Sequence, residues 1–234
     1  MVKLEFVLCS KISIEKYPLP KFEEMMTTVG ANTHFSKIDM KQAYLQIEVE
    51  EEDQKYLVVS TPKGLFKFLR LPFGLASSPG IFQRFISQLL AGIEGVNCFM
   101  DDVLICASSK ADLYEKVKTV LGRLSSANIA LNLGKCKIDV PKIEFLGHVI
   151  SADGIAPSVE KLEAINKAPV PSNLNELLSL IGLVTYYSKF VHRFSDIMCP
   201  LYELTKKNVP FVWGKRQDVA YKAIKAAISK SELL

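Results

Sequence analysis

The chain has few cysteines, few histidines and no long apolar run. Its five cysteines are odd in number, lie far apart and include no C-x-x-C pair, so we expect neither a disulfide framework nor a zinc site. No apolar stretch approaches the roughly 18 residues that cross a bilayer, and Glu5 interrupts the short apolar run near the amino terminus. These absences predict an intracellular protein without membrane contact, located in the cytoplasm or the nucleus.

A large excess of one charge is also missing. The 29 lysines and arginines stand against 25 aspartates and glutamates, which leaves a net charge of +4. A nucleic-acid partner is therefore permitted but not predicted by charge, because phosphate contacts need a local basic track and not a large total. The 234 residues are 49% hydrophobic and 23% charged, so the chain can bury a sizeable core and should fold.

The spacing of apolar residues changes repeatedly along the chain, which indicates an α+β fold. Helical spacing predicts helices at 21–29, from Ser78 to about Gly92, after Ser108 or Ser109, at 158–167 and at 173–191. Alternating or continuous apolar runs predict a strand within 33–47, hairpins at 55–69 and 96–107, a strand at 129–133, and a hairpin of 137–140 with 143–150 around Pro141. The order of strand, helix, acidic hairpin, helix and strand resembles a split βαβ sheet with helices on one face.

Three aspartates are candidates for metal chemistry. Asp101 and Asp102 lie between two apolar arms, which predicts a tight hairpin with the acids at its turn, and Asp39 ends another apolar segment. Neighbouring strands would bring these carboxylates together, and hard oxygen ligands on strands suit Mg²⁺ or Mn²⁺. The alternative is that Asp101 and Asp102 form a solvated turn and that Asp39 caps its segment. An isolated pair of acidic residues more often has such a structural role.

Several longer blocks surround these acids in a fixed order. They are Tyr17-Pro-Leu-Pro20, Phe35-Ser-Lys-Ile-Asp-Met-Lys-Gln-Ala-Tyr44, Leu71-Pro-Phe-Gly-Leu-Ala-Ser-Ser-Pro79, Phe99-Met-Asp-Asp102 and Phe145-Leu-Gly-His-Val-Ile-Ser151. Together they resemble the successive motifs of reverse transcriptases from gypsy-type LTR retrotransposons, and Phe99 to Asp102 resembles the Y/F-x-D-D signature. The resemblance implies an RNA-directed DNA polymerase, part of a Pol polyprotein, that extends a primer 3′ end by two-metal nucleotidyl transfer. It also implies Mg²⁺ (or Mn²⁺) as cofactor, and an RNA or DNA template-primer and deoxynucleoside triphosphates as partners.

The resemblance further implies roles for individual residues. Asp39, Asp101 and Asp102 would form the catalytic and metal-binding cluster, with a less direct role for Asp102, and Lys135 would act near the leaving pyrophosphate. A plain surface lysine is an equal alternative for Lys135. Substrate contacts are expected from Met40, Lys41, Gln42, Ala43, Tyr44, Phe73, Gly74 and Gln83, and primer or template contacts from Met100, Phe145, Leu146, Gly147 and His148.

The resemblance also implies finer features of the substrate site. The backbone amides of Met40 through Ala43 would face the triphosphate. The Tyr44 ring would exclude the 2′-hydroxyl of a ribonucleotide, with a plain core tyrosine as the alternative. Gln83 is expected on the polar face of its helix.

The resemblance implies a polymerase palm with a split βαβ (ferredoxin-like) antiparallel sheet, partial fingers and a helical thumb. The expected ranges are 1–46 for truncated fingers and the first palm strand, 47–73 for a fingers hairpin, 74–153 for the palm, 154–208 for the thumb and 209–234 for the start of a connection region. The first 16 residues are too short for the family's usual amino-terminal fingers strands, and Leu178 and Ser188 replace basic residues common in relatives. A catalytically inactive retroelement relic and a nucleic-acid-binding module without turnover therefore stay open as alternatives.

Overall fold

The computed structural model describes residues 17–229, which form two compact units that meet between Ile143 and Glu144. The predictions made for Cys9 and for the first 16 residues lie outside the described residues. The first unit contains α1 (Phe22–Thr27), β1 (His34–Asp39), β2 (Val58–Thr61), β3 (Gly64–Lys67), α2 (Ser78–Leu89), β4 (Val96–Phe99), β5 (Asp102–Ala107), α3 (Lys110–Ser126) and β6 (Lys137–Val140). The second contains β8 (His148–Ser151), β9 (Gly154–Pro157), α4 (Val159–Lys167), α5 (Leu174–Thr185), α6 (Phe194–Glu203) and α7 (Lys215–Ser229), and β7 (Lys142–Phe145) crosses the boundary.

A four-stranded antiparallel sheet in the order β4-β5-β1-β6 forms the centre of the first unit. Ile38 of β1 is paired with Val103 of β5, and both are buried in one core with Phe82 of α2 and Leu113 of α3. Because side chains alternate along a strand, Asp39, the neighbour of Ile38, projects to the face opposite this core. The helices thus cover one face of the sheet at these positions, and the acids belong to the other.

The separate hairpin of β2 and β3 forms as predicted, with Thr61 paired with Gly64 across the turn. Its apolar side chains Leu65 and Phe66 are exposed. Helix α2 also forms as predicted, but Ser77 and not Ser78 is its N-cap residue. The Ser78 hydroxyl instead donates a 2.7 Å hydrogen bond to the Pro72 carbonyl.

Two strand predictions were wrong. Residues 129–133 form no strand beyond a single bridge between Met40 and Leu131, because β6 occupies the edge of the sheet beside β1. Strands β6 and β7 do not form a hairpin around Pro141, because β6 pairs with β1 whereas β7 lies beside β8 in another sheet. Pro141 is the single residue between β6 and β7, which is too short a connection for the two-residue turn of a tight hairpin.

As far as residue 229, the second unit combines a three-stranded sheet, in the order β7-β8-β9, with four α-helices. Its core includes Leu177 and Val184 of α5, Leu201 of α6 and Ile224 of α7. The helix predicted at 173–191 ends at Thr185, since the Tyr187 amide bonds to Val184 and a separate 3-10 turn, Ser188–Phe190, follows. Within residues 17–229 no helix is long and apolar enough to span a membrane.

The five ranges predicted for fingers, palm, thumb and connection remain predictions. The structure divides the chain between Ile143 and Glu144, which lies inside the range predicted for the palm. Helix α7, in the range predicted for the connection region, packs through Ala220, Tyr221 and Ile224 into the same core as α5 and α6.

Candidate active site

The antiparallel pairing of β1 and β5 places two of the predicted acids opposite each other. Asp39, the last residue of β1, is the cross-strand partner of Asp102, the first residue of β5. Side chains of directly opposite residues share one face of an antiparallel pair. Asp101 lies in the turn just before Asp102, and its carbonyl accepts a 2.8 Å hydrogen bond from the Met40 amide. All three acidic residues therefore lie at one end of the sheet.

The three acids have different surroundings. Asp39 is buried, with 8% of its surface exposed, whereas Asp101 is exposed. Asp102 is half-buried, and its Oδ2 lies 2.8 Å from Lys37 Nζ in an ion pair. Burial raises the pKa of the Asp102 carboxyl, the bond and charge of Lys37 oppose this rise, and the negative charges of Asp101 and Asp39 add to it. The carboxylates therefore repel one another, and a cation between them would relieve that repulsion.

The carboxylate oxygens at this end of the sheet are donors of the kind that suit a divalent cation. Lys37 engages Asp102, whereas within residues 17–229 the carboxylates of Asp39 and Asp101 make no hydrogen bond or ion pair. In the same part of the chain, no three acidic, histidine or cysteine residues are arranged as a complete metal site. Two carboxylates suffice for Mg²⁺, which usually keeps water and substrate phosphates in its other positions. Asp39 and Asp101 supply carboxylate oxygens of this kind, and ligand roles for Asp39, Asp101 and Asp102 all stay predictions.

The loop after Asp39 offers fewer amides to a phosphate than predicted. The Met40 amide donates to the Asp101 carbonyl at 2.8 Å, and the Lys41 amide donates to the Ala130 carbonyl at 3.0 Å. For these two residues the predicted amide contact with the triphosphate is wrong, because both N–H groups already have partners. Among the described residues, no backbone hydrogen bond involves the amides of Gln42, with a positive φ of 49°, and Ala43, at the start of the 3-10 helix Ala43–Gln46. The phosphate-facing role therefore stays a prediction for the Gln42 and Ala43 amides alone.

Tyr44 lies beside the acidic turn, where it packs against two phenylalanine rings. Its ring centroid lies 5.1 Å from that of Phe73 and 5.6 Å from that of Phe82. Its hydroxyl donates to the Sδ of Met100 at 3.6 Å. Burial and then the charge of Asp101 raise the pKa of Tyr44, so the phenol stays neutral beside the acidic turn. Phe73 is exposed, and the next residue, Gly74, has a positive φ of 86°.

Gln83 differs from its prediction. It was expected on the polar face of α2 in contact with substrate, but it is fully buried. Its Oε1 accepts a 2.8 Å hydrogen bond from the Met100 amide, and its Nε2 donates to the Cys98 carbonyl at 2.9 Å and to Ser87 Oγ at 3.1 Å. Met100, just before Asp101, has a positive φ of 52°, a conformation that is costly for a side chain of this kind. From inside the core, Gln83 therefore holds the backbone of the turn that carries Asp101 through hydrogen bonds to Met100 and Cys98.

Replacing Gln83 by leucine should lower the free energy of unfolding by about 2 kcal/mol or more, because it leaves partly buried backbone groups without their partners. The rate of nucleotide incorporation should also fall, since the turn that carries Asp101 loses its support. Urea denaturation and single-turnover primer extension measure the two effects. Gln88→Leu is the matched control, because Gln88 is exposed on the same helix. Equal losses in the two variants would contradict the role given to Gln83.

The loop that carries Lys135 is bound to the backbone of Asp39. The Asn132 amide donates to the Asp39 carbonyl at 2.8 Å, and the Asp39 amide donates to the Sγ of Cys136 at 3.4 Å. Lys135 is exposed between these two attachments. Its role near pyrophosphate stays a prediction. The contact of Cys136 with Asp39 was not predicted from the sequence. The only sequence signal for it is that Cys136 directly follows Lys135.

The predicted primer contacts fall in both units. Met100 belongs to the acidic turn, whereas Phe145, Leu146, Gly147 and His148 lie at the turn between β7 and β8. Phe145 and His148 are fully buried, so direct side-chain contacts with nucleic acid are not available to them in this conformation. Leu146 and Gly147 are half-buried and remain candidates for such contacts.

Comparison with known sequences identifies similar proteins. The profile described as "Reverse transcriptase (RNA-dependent DNA polymerase)" matches residues 3–150. The transposon Tf2-3 polyprotein of Schizosaccharomyces pombe is 34% identical over 220 residues, which cover 93% of this chain and 16% of that protein. The retrovirus-related Pol polyprotein from transposon 297 of Drosophila melanogaster is 31% identical over 237 residues, covering 100% of this chain and 22% of that protein. The chain thus spans only 16% to 22% of the length of these relatives.

Solved structures also resemble this one. The foamy viral protease-reverse transcriptase in complex with double-stranded DNA has a TM-score of 0.87 at 23% identity, covering 95% of this chain and 47% of that one. The same viral protein with an RNA/DNA hybrid has a TM-score of 0.86 at 23% identity, covering 95% and 31% respectively. At this identity the likeness shows the fold, and it confirms the predicted α+β polymerase architecture.

Proposed function

Because the chain belongs to the reverse transcriptase (RNA-dependent DNA polymerase) family, we propose that it adds deoxynucleotides to a primer 3′ end on an RNA or DNA template, as part of a gypsy-type LTR retrotransposon Pol polyprotein. One observation carries this proposal. Asp39 and Asp102 are cross-strand partners, and Asp101 lies in the adjoining turn. Acidic residues at the end of paired strands are what nucleotidyl transfer requires of a protein, since the chemistry depends on positioning and charge.

Asp39 and Asp101 would hold Mg²⁺ or Mn²⁺. Such ions, when bound, activate the primer hydroxyl and neutralise charge on the leaving phosphates. The residues around them would orient the incoming nucleotide. The Gln42 and Ala43 amides would donate to the triphosphate, and the paired rings of Tyr44 and Phe73 would contact the sugar and base.

The proposed partner is a template-primer duplex with deoxynucleoside triphosphates. The similar foamy viral protein binds double-stranded DNA and an RNA/DNA hybrid, which supports a duplex partner for this chain. Backbone phosphates would supply most of the affinity, which should therefore fall as salt rises.

Primer extension by the purified chain tests this function. A recessed DNA primer on an RNA template, and the same primer on a DNA template, should both be extended with Mg²⁺ or Mn²⁺ and not with EDTA. Binding of both duplexes without extension under any metal would favour a nucleic-acid-binding module without turnover. Failure of both binding and extension would favour an inactive relic.

Replacing Tyr44 by valine should increase ribonucleotide incorporation relative to deoxynucleotide incorporation at least about tenfold, because the smaller side chain leaves room for the 2′-hydroxyl. Tyr44→Phe keeps the ring and loses only the hydroxyl contact with Met100, so its selectivity should match that of the unmodified chain. Steady-state incorporation of dCTP and CTP opposite a template guanine gives both ratios. Unchanged selectivity in Tyr44→Val would return Tyr44 to the role of a plain core residue.

A further inference from the structure

The turn between β7 and β8 has an uncommon residue, Leu146, at its first central position. Its two central residues, Leu146 and Gly147, have positive φ angles of 49° and 71°. Two-residue turns of this kind are usually made by Asn-Gly or Gly-Gly, because a residue such as leucine adopts a positive φ only at a cost in free energy. Such strain persists where neighbouring groups hold the backbone in place, and it is frequent at functional sites.

Both carbonyls of this turn accept two hydrogen bonds. The Leu146 carbonyl accepts from the Tyr186 hydroxyl at 2.6 Å and lies 2.9 Å from His148 Nδ1. The Gly147 carbonyl accepts from the Ser158 amide at 3.0 Å and from the Tyr187 hydroxyl at 3.4 Å. Two consecutive tyrosines, just after α5, thus bond to two consecutive carbonyls of the strained turn.

Aromatic packing fixes the two tyrosines beneath the turn. The His148 ring lies 5.1 Å from the Tyr186 ring, 5.6 Å from that of Tyr187 and 5.5 Å from that of Phe190, measured between centroids. Tyr187 is 1% exposed. Burial raises its pKa to about 12, so its hydroxyl keeps the proton that it donates at neutral pH.

We propose that Tyr186 and Tyr187 are positioning residues for the primer strand, because they hold the Leu146-Gly147 turn in the conformation that contacts the primer near its 3′ end. This inference rests on the proposed polymerase function and on the primer contact that the resemblance predicts for Leu146 and Gly147. A primer end held out of place reacts slowly even when it stays bound, since transfer depends on alignment of the reacting groups. The two hydroxyls therefore affect incorporation rate and recognition of the primer end, and they leave nucleotide affinity unchanged.

The test uses Tyr186→Phe, Tyr187→Phe and the double variant, each of which removes only hydroxyl groups. The incorporation rate per active site, at saturating nucleotide, should fall about fivefold for a single variant and about tenfold or more for the double one, which is the scale of one and two lost hydrogen bonds. The KM for deoxynucleotide should not change. Preference for a recessed primer end over a blunt duplex, measured by fluorescence anisotropy, should fall, and backbone hydrogen exchange at residues 145–148 should accelerate.

Tyr221→Phe is the matched control, because the Tyr221 hydroxyl donates to the Ala168 carbonyl in the same unit and has no part in the turn. Its kinetics should match those of the unmodified chain. A purely structural effect of the Tyr186 and Tyr187 variants would lower the titrated number of active sites and leave the rate per site unchanged, which would overturn the proposal. So would unchanged exchange, or an equal rate loss in Tyr221→Phe. If the unmodified chain extends no primer, the polymerase function itself fails and the primer role fails with it.

Discussion

Asp101→Asn is expected to reduce primer extension more than about a hundredfold, because even the hydrogen-bonding partners of metal ligands cost about 10- to 100-fold when replaced. Asparagine keeps the shape of the side chain but removes the charge that attracts a divalent ion. Since Asp101 is exposed in a turn, the free energy of unfolding should change by less than about 0.5 kcal/mol. Single-turnover extension in Mg²⁺ measures the loss, and calorimetric titration with Mn²⁺ measures metal binding separately.

The ion pair between Lys37 and Asp102 predicts that the three aspartates contribute unequally to metal binding. Asp39→Asn should weaken Mn²⁺ binding as strongly as Asp101→Asn, whereas Asp102→Asn should weaken it less, because the Asp102 carboxylate is already engaged by a lysine. Asp53→Asn is a matched control in an exposed loop, where loss of charge should leave extension unchanged. Robust extension by Asp101→Asn would overturn the assignment of the site. Equal metal binding by Asp39→Asn and the unmodified chain would exclude Asp39 as a ligand.

The end of the sheet that carries the acids was predictable from local patterns. Apolar alternation placed Asp39 at the end of a strand, and the two apolar arms around Asp101 and Asp102 required a hairpin. Both expectations agree with the pairing of β1 with β5 and of β4 with β5. The lysine partner of Asp102 was missed, because Lys37 precedes Asp39 by two positions and its proximity depends on the register between strands.

The burial of Gln83 was missed because a glutamine in an amphipathic helix is normally assigned to the solvent face. The spacing of residues argued against that assignment, since Gln83 lies three positions before Ile86, which is buried on the same helix.

The strand predicted at residues 129–133 was wrong because distant segments compete for the same sheet edge. Residues 129–133 have the alternation of a strand, but β6 occupies the edge of the sheet beside β1. A local pattern does not reveal which of two segments pairs with an edge.

Gly95→Ala is expected to lower the free energy of unfolding by about 3 kcal/mol or more, because two costs add: a positive φ for a residue with a Cβ, and overpacking against backbone. Gly95 has a φ of +75°, and a Cβ placed there would lie 2.5 Å from the Cys106 carbonyl oxygen. That oxygen cannot move easily, since the Cys106 amide also donates to the Gly95 carbonyl at 2.8 Å. Guanidinium denaturation followed by circular dichroism measures the loss.

Gly92→Ala separates the two costs. Gly92 has almost the same φ, +76°, but a Cβ there would meet nothing within 4 Å. This variant should therefore lose only about 1–2 kcal/mol, the cost of a left-handed conformation without a clash. Equal losses in the two variants would show that the close approach of Gly95 to Cys106 is unimportant. A larger loss in Gly95→Ala would show that the close approach of Gly95 to Cys106 stabilises the hairpin of β4 and β5, which places Asp102 opposite Asp39 and Asp101 in the adjoining turn.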